Sequence, residues 1–201
     1  MAAKVEFIFD FGSPNAFLAY RVVPEIARRT GAIFDYVPVL LGGIFKATGN
    51  QSPVQAFANV KGKLEYQRVE FARFLRRHGI TDFKFNPYFP VNTLALMRMA
   101  VAAQQEGTLA PYMQAAFRHM WVEPKKMDDP EVIKAALAQS GLDPALLERA
   151  QAAEVKAKLI ANTEAAVARG VFGAPTFFVG DEMFFGKDKL RDVEEALAAA
   201  A

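Results

Sequence analysis

Two hundred and one residues with 52 % hydrophobic side chains are enough for one large domain, or one fold with a sizeable insertion, around a full core. Lys and Arg number 24 against 22 Asp and Glu, and the net charge of +2 is spread without long runs, which argues against a nucleic-acid stripe or a membrane-surface helix. With no cysteine in the chain, disulfides, dithiol redox chemistry, thiolate-bound zinc and a cysteine nucleophile are all excluded.

The chain opens on "VEFIFDF", whose aromatic and β-branched residues over Val5 to Phe11 predict a buried strand. Glu6 and Asp10 interrupt this run, so it is no secretory segment, and no stretch approaches the ~20 apolar residues of a membrane span. The expected location is the cytoplasm. Gly12 breaks the strand, and Ser13-Pro14 has the chemistry of a helix start: serine caps free amides, and proline at the first position loses no hydrogen bond. Phe17, Tyr20, Val23 and Ala27 then recur at helical spacing until Gly31. "AIFDYVPVLL" predicts a second strand, parallel to the first in a βαβ unit.

From Gly42 to Gly170 strand signals nearly vanish. "GGIFKATGNQSP" reads as a loop with room for a short helix. Val60, Leu64, Phe71, Phe74 and Leu75 mark a long helix closed near Gly79, where His78 is expected to favour its cationic form at the helix C-terminus. "NPYFPVN" is a proline-punctuated loop, after which Thr93 is expected to cap a helix bearing Leu96, Met97, Ala100 and Val101. A further helix runs through Tyr112, Ala116, Met120 and Trp121. Asp129-Pro130 and Asp143-Pro144 mark two more starts, and Val155, Leu159, Ala166 and Val167 mark a last helix ended by Gly170. Strands return at Thr176 to Val179 and Met183 to Phe185 around a "GD" turn, before a closing amphipathic helix. The two histidines, His78 and His119, form no metal-spaced pair, and no metal site is expected.

The residues alone leave Ser13 with two readings. It caps a helix, or it serves a thiol brought by a ligand, because the helix amino end offers free amides and partial positive charge to a thiolate. No histidine stands near it and "GSP" lacks the nucleophile-elbow pattern, so a serine-hydrolase triad is not supported.

A βαβ half and a ββα half on one sheet resemble the thioredoxin arrangement, with "SPNA" at the active-site helix and "GAPTFF" at the cis-proline loop. Over essentially its whole length the chain resembles the 2-hydroxychromene-2-carboxylate isomerases and the kappa-class glutathione transferases. "DFGSPNAFLA", "LLGGIFKATGN", "KGKLEY", "FPVNTL" and "GVFGAPTFFVGDEMFFGKDKL" carry the resemblance through their joint order and spacing. The glycine-rich "GGIFKATGN" is more similar to the isomerases. Departures are Lys189 for a usual arginine, Phe185 for a frequent tryptophan, and Asn15 where an aromatic often follows.

The resemblance implies an α/β, thioredoxin-like fold with an inserted all-helical domain. Residues 1–41 and 170–201 would form the thioredoxin-like part and residues 42–169 the insertion. It implies glutathione as cofactor, a small-molecule substrate, no nucleic-acid or membrane partner, and a homodimer. Ser13 would serve the glutathione sulfur as the catalytic residue. Ala174, before a cis Pro175 that leaves its carbonyl and amide unpaired toward the groove, would pair with the cysteinyl main chain. Phe185, Gly186, the Lys187 amide and Asp188 would hold the γ-glutamyl arm, and Asn50 and Lys63, beside Lys61, would reach the rest of the tripeptide. Asn15, Lys46, Tyr88 and Asn92 are the substrate-contact candidates. The implied reaction interconverts 2-hydroxychromene-2-carboxylate and trans-o-hydroxybenzylidenepyruvate in aromatic hydrocarbon (naphthalene-type) catabolism. The alternatives are a conjugating glutathione transferase and a non-catalytic thioredoxin-fold binding module.

Overall fold

The structure is a computed structural model that describes residues 3–199. Four strands form one mixed sheet in the order β2-β1-β3-β4, from β1 (Lys4–Phe9), β2 (Ile33–Pro38), β3 (Thr176–Val179) and β4 (Glu182–Phe185). β1 runs parallel to β2, with Lys4 opposite Ile33 and Phe9 opposite Pro38. It runs antiparallel to β3, with Val5 opposite Val179 and Ile8 opposite Thr176, and β3 turns back antiparallel onto β4. The sheet is therefore made from the two ends of the chain, as the βαβ and ββα patterns require.

The helices are α1 (Pro14–Thr30), α2 (Leu41–Thr48), α3 (Pro53–Ala56), α4 (Lys63–Arg77), α5 (Leu94–Gln105), α6 (Leu109–Trp121), α7 (Pro130–Gln139), α8 (Leu146–Arg149), α9 (Ala153–Ala168) and α10 (Leu190–Ala199), with a 3-10 turn at Lys187–Lys189 before the last. Strand alternation divides the sheet's two faces. Phe7, Phe9 and Phe177 join a core with α1, α5, α6 and α10, whereas Ile8 and Phe178 join Val39, Ile44, Ala166 and Val171 on the other side. The larger core is continuous from the strands into the central helices, where Met97, Phe117, Met120 and Trp121 are fully enclosed.

Local differences from expectation have identifiable causes. β1 ends at Phe9, two residues before the predicted end, because Phe11 bonds to helices instead of strands. "LLGGIFKATG" is mostly helical: Leu40 N–H donates to Thr163 Oγ1 at 3.0 Å and Leu41 N–H to Asp10 Oδ2 at 2.8 Å, so distant partners secure the start of α2. Val60 and Lys61 precede α4 rather than lying in it. Thr93 occupies the N-cap of α5 without a side-chain cap bond, and it is Asn92 Oδ1 that accepts from Leu94 N–H at 3.0 Å. His78 packs its ring against Phe74 at 4.3 Å, and partial burial together with Arg77, Arg29 and Lys187 lowers its pKa, the reverse of the expected preference for the cation.

Candidate functional site

Beyond Phe9 the chain leaves the sheet, and each polar group of the next four residues needs a new partner. Phe11 N–H points at Met97 Sδ, 3.5 Å away on α5, and its carbonyl accepts from Trp121 Nε1 on α6 at 2.8 Å. The carboxylate of Asp10 is wholly buried. Its Oδ1 accepts from Gly12 N–H and its Oδ2 from Leu41 N–H, each at 2.8 Å. Burial raises the Asp10 pKa, and the two main-chain donors together with the nearby Thr93 hydroxyl act against the rise. Gly12 is needed by proximity, because a Cβ there would lie 3.1 Å from Thr93 Cγ2 and 3.3 Å from Asp10 Oδ1.

This turn delivers Ser13 to the N-cap of α1 in extended conformation, with Pro14 following. Ser13 N–H donates to the Asp10 carbonyl at 3.1 Å, and Ser13 Oγ accepts from Ala16 N–H at 3.1 Å. The cap reading is thus met, but the hydroxyl does more: it donates to the Ala174 carbonyl at 2.8 Å, across 161 residues of sequence. The Ala174-Pro175 bond is cis. The expectation that the Ala174 carbonyl is unpaired is corrected here, because Ser13 occupies it. Serine and carbonyl satisfy each other, and both lie at the end of a 17-residue helix whose amino terminus carries partial positive charge.

The loop around Ala174 is held from several sides. Thr176 Oγ1 donates to the Gly173 carbonyl at 2.8 Å, and Gly186 N–H to the Pro175 carbonyl at 2.9 Å. The Phe185 ring covers Gly173 so closely that a Cβ there would sit 2.8 Å from Cε2, and it meets Phe172 at 4.4 Å between centroids. Asn50 Nδ2 donates to the Phe172 carbonyl at 2.7 Å, tying the end of α2 to this loop. Next to it, Lys187 turns inward: its Nζ lies 2.6 Å from Asp188 Oδ1 and sits over the rings of Phe74 and Phe71 on α4 at 4.8 and 5.5 Å. The Asp188 carboxylate is mostly exposed. Lys63, the first residue of α4, is exposed and lies over the Phe57 ring at 5.1 Å.

Contacts therefore link Ser13, Ala174, Pro175, Phe185, Gly186 and Asn50 into one connected group, and link Lys187 with Asp188 beside it. Asn15 is half-buried on the first turn of α1, Lys46 is exposed on α2, and Tyr88 is exposed with its N–H on Asn86 Oδ1. Among the described residues no side-chain hydrogen bond or ion pair joins these three to the Ser13 group. Asn92 reaches it only through its neighbour Thr93. A groove of about 440 Å³ lies between α2, α5 and α9, lined by residues such as Leu40, Leu94, Arg98 and Ile160, and no member of the Ser13 group lines it. The sequence reading missed Asp10, Thr93 and Trp121 as supports of the site. An acid inside an apolar strand end, "FIFDFG", was the available signal for the first.

The family model of the DSBA-like thioredoxin domain matches residues 4–198. A 2-hydroxychromene-2-carboxylate isomerase from Pseudomonas putida is 30 % identical over 197 residues, covering 96 % of this chain and 93 % of the relative. Glutathione S-transferase kappa 1 of Rattus norvegicus is 27 % identical over 199 residues, covering 92 % and 87 %. A solved structure of a 2-hydroxychromene-2-carboxylate isomerase matches with a TM-score of 0.83 at 28 % identity, over 98 % of this chain and 95 % of that one. The serine-tipped helix facing a cis-proline loop thus sits on a thioredoxin-like fold, and the chain, an enzyme, belongs to the DSBA-like thioredoxin domain family and within it to the 2-hydroxychromene-2-carboxylate isomerase family.

Proposed function

We propose that the protein is a glutathione-dependent cis–trans isomerase that interconverts 2-hydroxychromene-2-carboxylate and trans-o-hydroxybenzylidenepyruvate. The observation that carries this reading is the Ser13 Oγ–Ala174 O contact of 2.8 Å at the amino end of α1, in a chain with no cysteine of its own. A reactive sulfur at that place has to come from a ligand. The similarity to isomerases and to kappa-class transferases supports glutathione as that ligand.

The donor set fits a thiol tripeptide. Ser13 has one proton to give, and in the free protein it goes to the Ala174 carbonyl. Rotation of the hydroxyl frees that carbonyl for a ligand main-chain N–H and turns the proton toward sulfur. The number of satisfied groups is conserved, so the exchange leaves no polar atom stranded. Ala16 N–H continues to donate to Ser13 Oγ, and the helix end favours negative charge on the sulfur. Bound glutathione would supply a nucleophilic sulfur for reversible addition to the conjugated double bond of the substrate.

The chain's own residues hold and orient. Gly186 and the Lys187 amide would receive the γ-glutamyl carboxylate, and Asp188, whose carboxylate is exposed, would accept from its amino group. Lys63 would meet the glycyl carboxylate as a point charge, and Asn50 and Phe185 would line the tripeptide. Lys46, on the exposed side of α2, would hold the substrate carboxylate, with Asn15, Tyr88 and Asn92 around it. The setting of this reading is a cytoplasmic homodimer acting in aromatic hydrocarbon catabolism. The kappa-class similarity favours a second reading, in which the sulfur stays on the acceptor and the protein conjugates electrophiles.

Calorimetric titration of glutathione into the wild type and Ser13→Ala, followed by ultraviolet titration of the bound thiol, tests the site. Saturable binding with a thiol pKa lowered only when Ser13 is present is the expected result. Turnover that returns glutathione unchanged supports isomerisation, and a glutathione adduct of a chloronitrobenzene-type acceptor supports conjugation. No binding up to millimolar ligand would overturn the proposal.

A further inference from the structure

Asp10 is wholly buried, yet it is bonded to two of the segments that frame the site, the Ser13 turn and the start of α2. One oxygen accepts from Gly12, in the turn that delivers Ser13, and the other from Leu41, the first residue of the helix that carries Lys46. Thr93, next to Asn92 at the start of α5, flanks the same turn, and its hydroxyl favours the charged carboxylate. The Asp10 main-chain carbonyl accepts from Ser13 N–H at 3.1 Å. Three chain segments, separated by up to 83 positions between Asp10 and Thr93, thus converge on a group that is 0 % exposed.

We infer that Asp10 is a positioning residue that sets the substrate side of the site, α2 and the start of α5, in register with Ser13. The inference rests on the sulfur-serving reading of Ser13 given above. A carboxylate suits the task because it presents two acceptor oxygens and no donor, so it can bind N–H groups from two segments at once. A residue needed only to end β1 or fill space would use neither oxygen, and β1 has already ended at Phe9. A buried acid without need of its charge is disfavoured, so the two main-chain donors from separate segments mark a specific use of this one. On that reading Lys46 of α2 and Asn92 just before α5 would meet the substrate, whereas the Ala174 loop and the 3-10 turn would hold the tripeptide. Loss of register is therefore expected to act on the substrate more than on glutathione.

Asp10→Asn tests this. The amide keeps one acceptor oxygen for the nearby Gly12 N–H and turns its own N–H toward Leu41, breaking the long-range link. At a temperature well below both unfolding midpoints, glutathione affinity should stay within about threefold of wild type, while kcat/KM for the chromene substrate falls roughly 10–100-fold, the range of one hydrogen bond to a charged group. Wild-type kcat and KM in a folded but less heat-stable Asp10→Asn would show a purely structural role and overturn the inference. Should that variant not fold, Thr93→Val removes one donor only. Its kcat/KM should fall about threefold to tenfold with unchanged glutathione affinity, and Thr93→Ser should restore it. Wild-type kinetics in Thr93→Val would also overturn the inference. A wild type that neither binds glutathione nor isomerises overturns the function itself, and the role of Asp10 with it, an outcome distinct from wild-type kinetics in the variants of an active enzyme.

Discussion

The two walls of the site are built in different ways. The wall from Asp10 to Ser13 is buried and cross-linked to α2, α5 and α6 by Asp10, Phe11 and their partners. The segment from Phe185 to Asp188 presents mostly exposed side chains. Asp188 is 73 % exposed, and Lys187 alone turns inward. The first wall is fixed by the core before any ligand arrives, and the second can adjust to one. Substitution in the first should therefore disturb stability and chemistry together, and substitution in the second should weaken binding and leave the fold intact.

Trp121→Phe is the strongest way to break this comparison. It leaves the buried Phe11 carbonyl without its donor and opens space in a fully enclosed position. The expected loss is about 2–4 kcal/mol, or a fall of roughly 5–15 °C in the midpoint of a 201-residue chain. Activity per folded molecule should fall as well, because the turn that carries Ser13 loses an anchor. Calorimetric unfolding beside initial rates checks both, and a stable variant with full activity would show that the anchor is not needed. Ser13→Ala comes next. Loss of the donor to sulfur should lower kcat/KM roughly 10–100-fold, and loss of the cap should cost about 1 kcal/mol of stability. An unchanged thiol pKa in this variant would remove the chemical role and leave the cap.

The same division decides what could be read in the sequence. Ser13-Pro14, Asp129-Pro130, Gly31 and the Thr176 to Val179 run mark their elements with local chemistry, and the structure places elements there. Ser13 and the Ala174-Pro175 loop stood out through the resemblance of whole motifs. The supports did not, since Asp10 meets Leu41 across 31 residues and Phe11 meets Trp121 across 110. No local pattern encodes such pairs. α2 was obscured for the same reason: its glycines read as loop, and its start is secured by Asp10 and Thr163 from elsewhere in the chain. Thr93 looked like a cap because threonine commonly is one, but its side chain makes no cap bond and Asn92 Oδ1 accepts from Leu94 N–H instead.

Asp188→Asn sharpens the comparison from the other wall. Asparagine retains an oxygen for Lys187 Nζ, which also keeps its two aromatic faces, so the fold should be nearly unaffected. Glutathione should bind roughly fivefold more weakly, in keeping with loss of about 1 kcal/mol at an exposed charged contact. Paired calorimetric titrations and thermal melts give the answer. A large fall in stability with unchanged affinity would reverse the assignment of this wall.

The smallest effect is expected from His119, two residues before Trp121 on the helix that anchors the first wall. Its Nε2 lies 2.9 Å from Ser140 Oγ, while the buried Nδ1 has no hydrogen-bond partner among the described residues. The Ser140 hydroxyl gives its proton to the Ala136 carbonyl, so it is Nε2 that donates and Nδ1 that stands unprotonated. Burial lowers the His119 pKa, with nearby Lys125 and Arg118 adding to the effect and Glu123 opposing it. Below about pH 6.5 the unfolded chain then binds a proton that the folded chain resists, and stability falls as pH drops from neutrality toward the folded pKa. Asp10 acts in the opposite sense: its raised pKa favours the folded state in acid and withdraws that support as pH rises above 3.8. His78, also lowered, has the same sign as His119. These three and the lowered carboxylates of ion pairs such as Glu25 and Glu194 all enter the wild-type profile, so the measurement is the difference in unfolding free energy between wild type and His119→Gln across pH 5 to 8. The wild type should lose ground to the variant on acidification, and the loss should be accompanied by faster hydrogen exchange in α6. A flat difference curve would mean that protonation of His119 is accommodated at no cost, and that the helix holding the first wall is looser than its buried, unpartnered nitrogen implies.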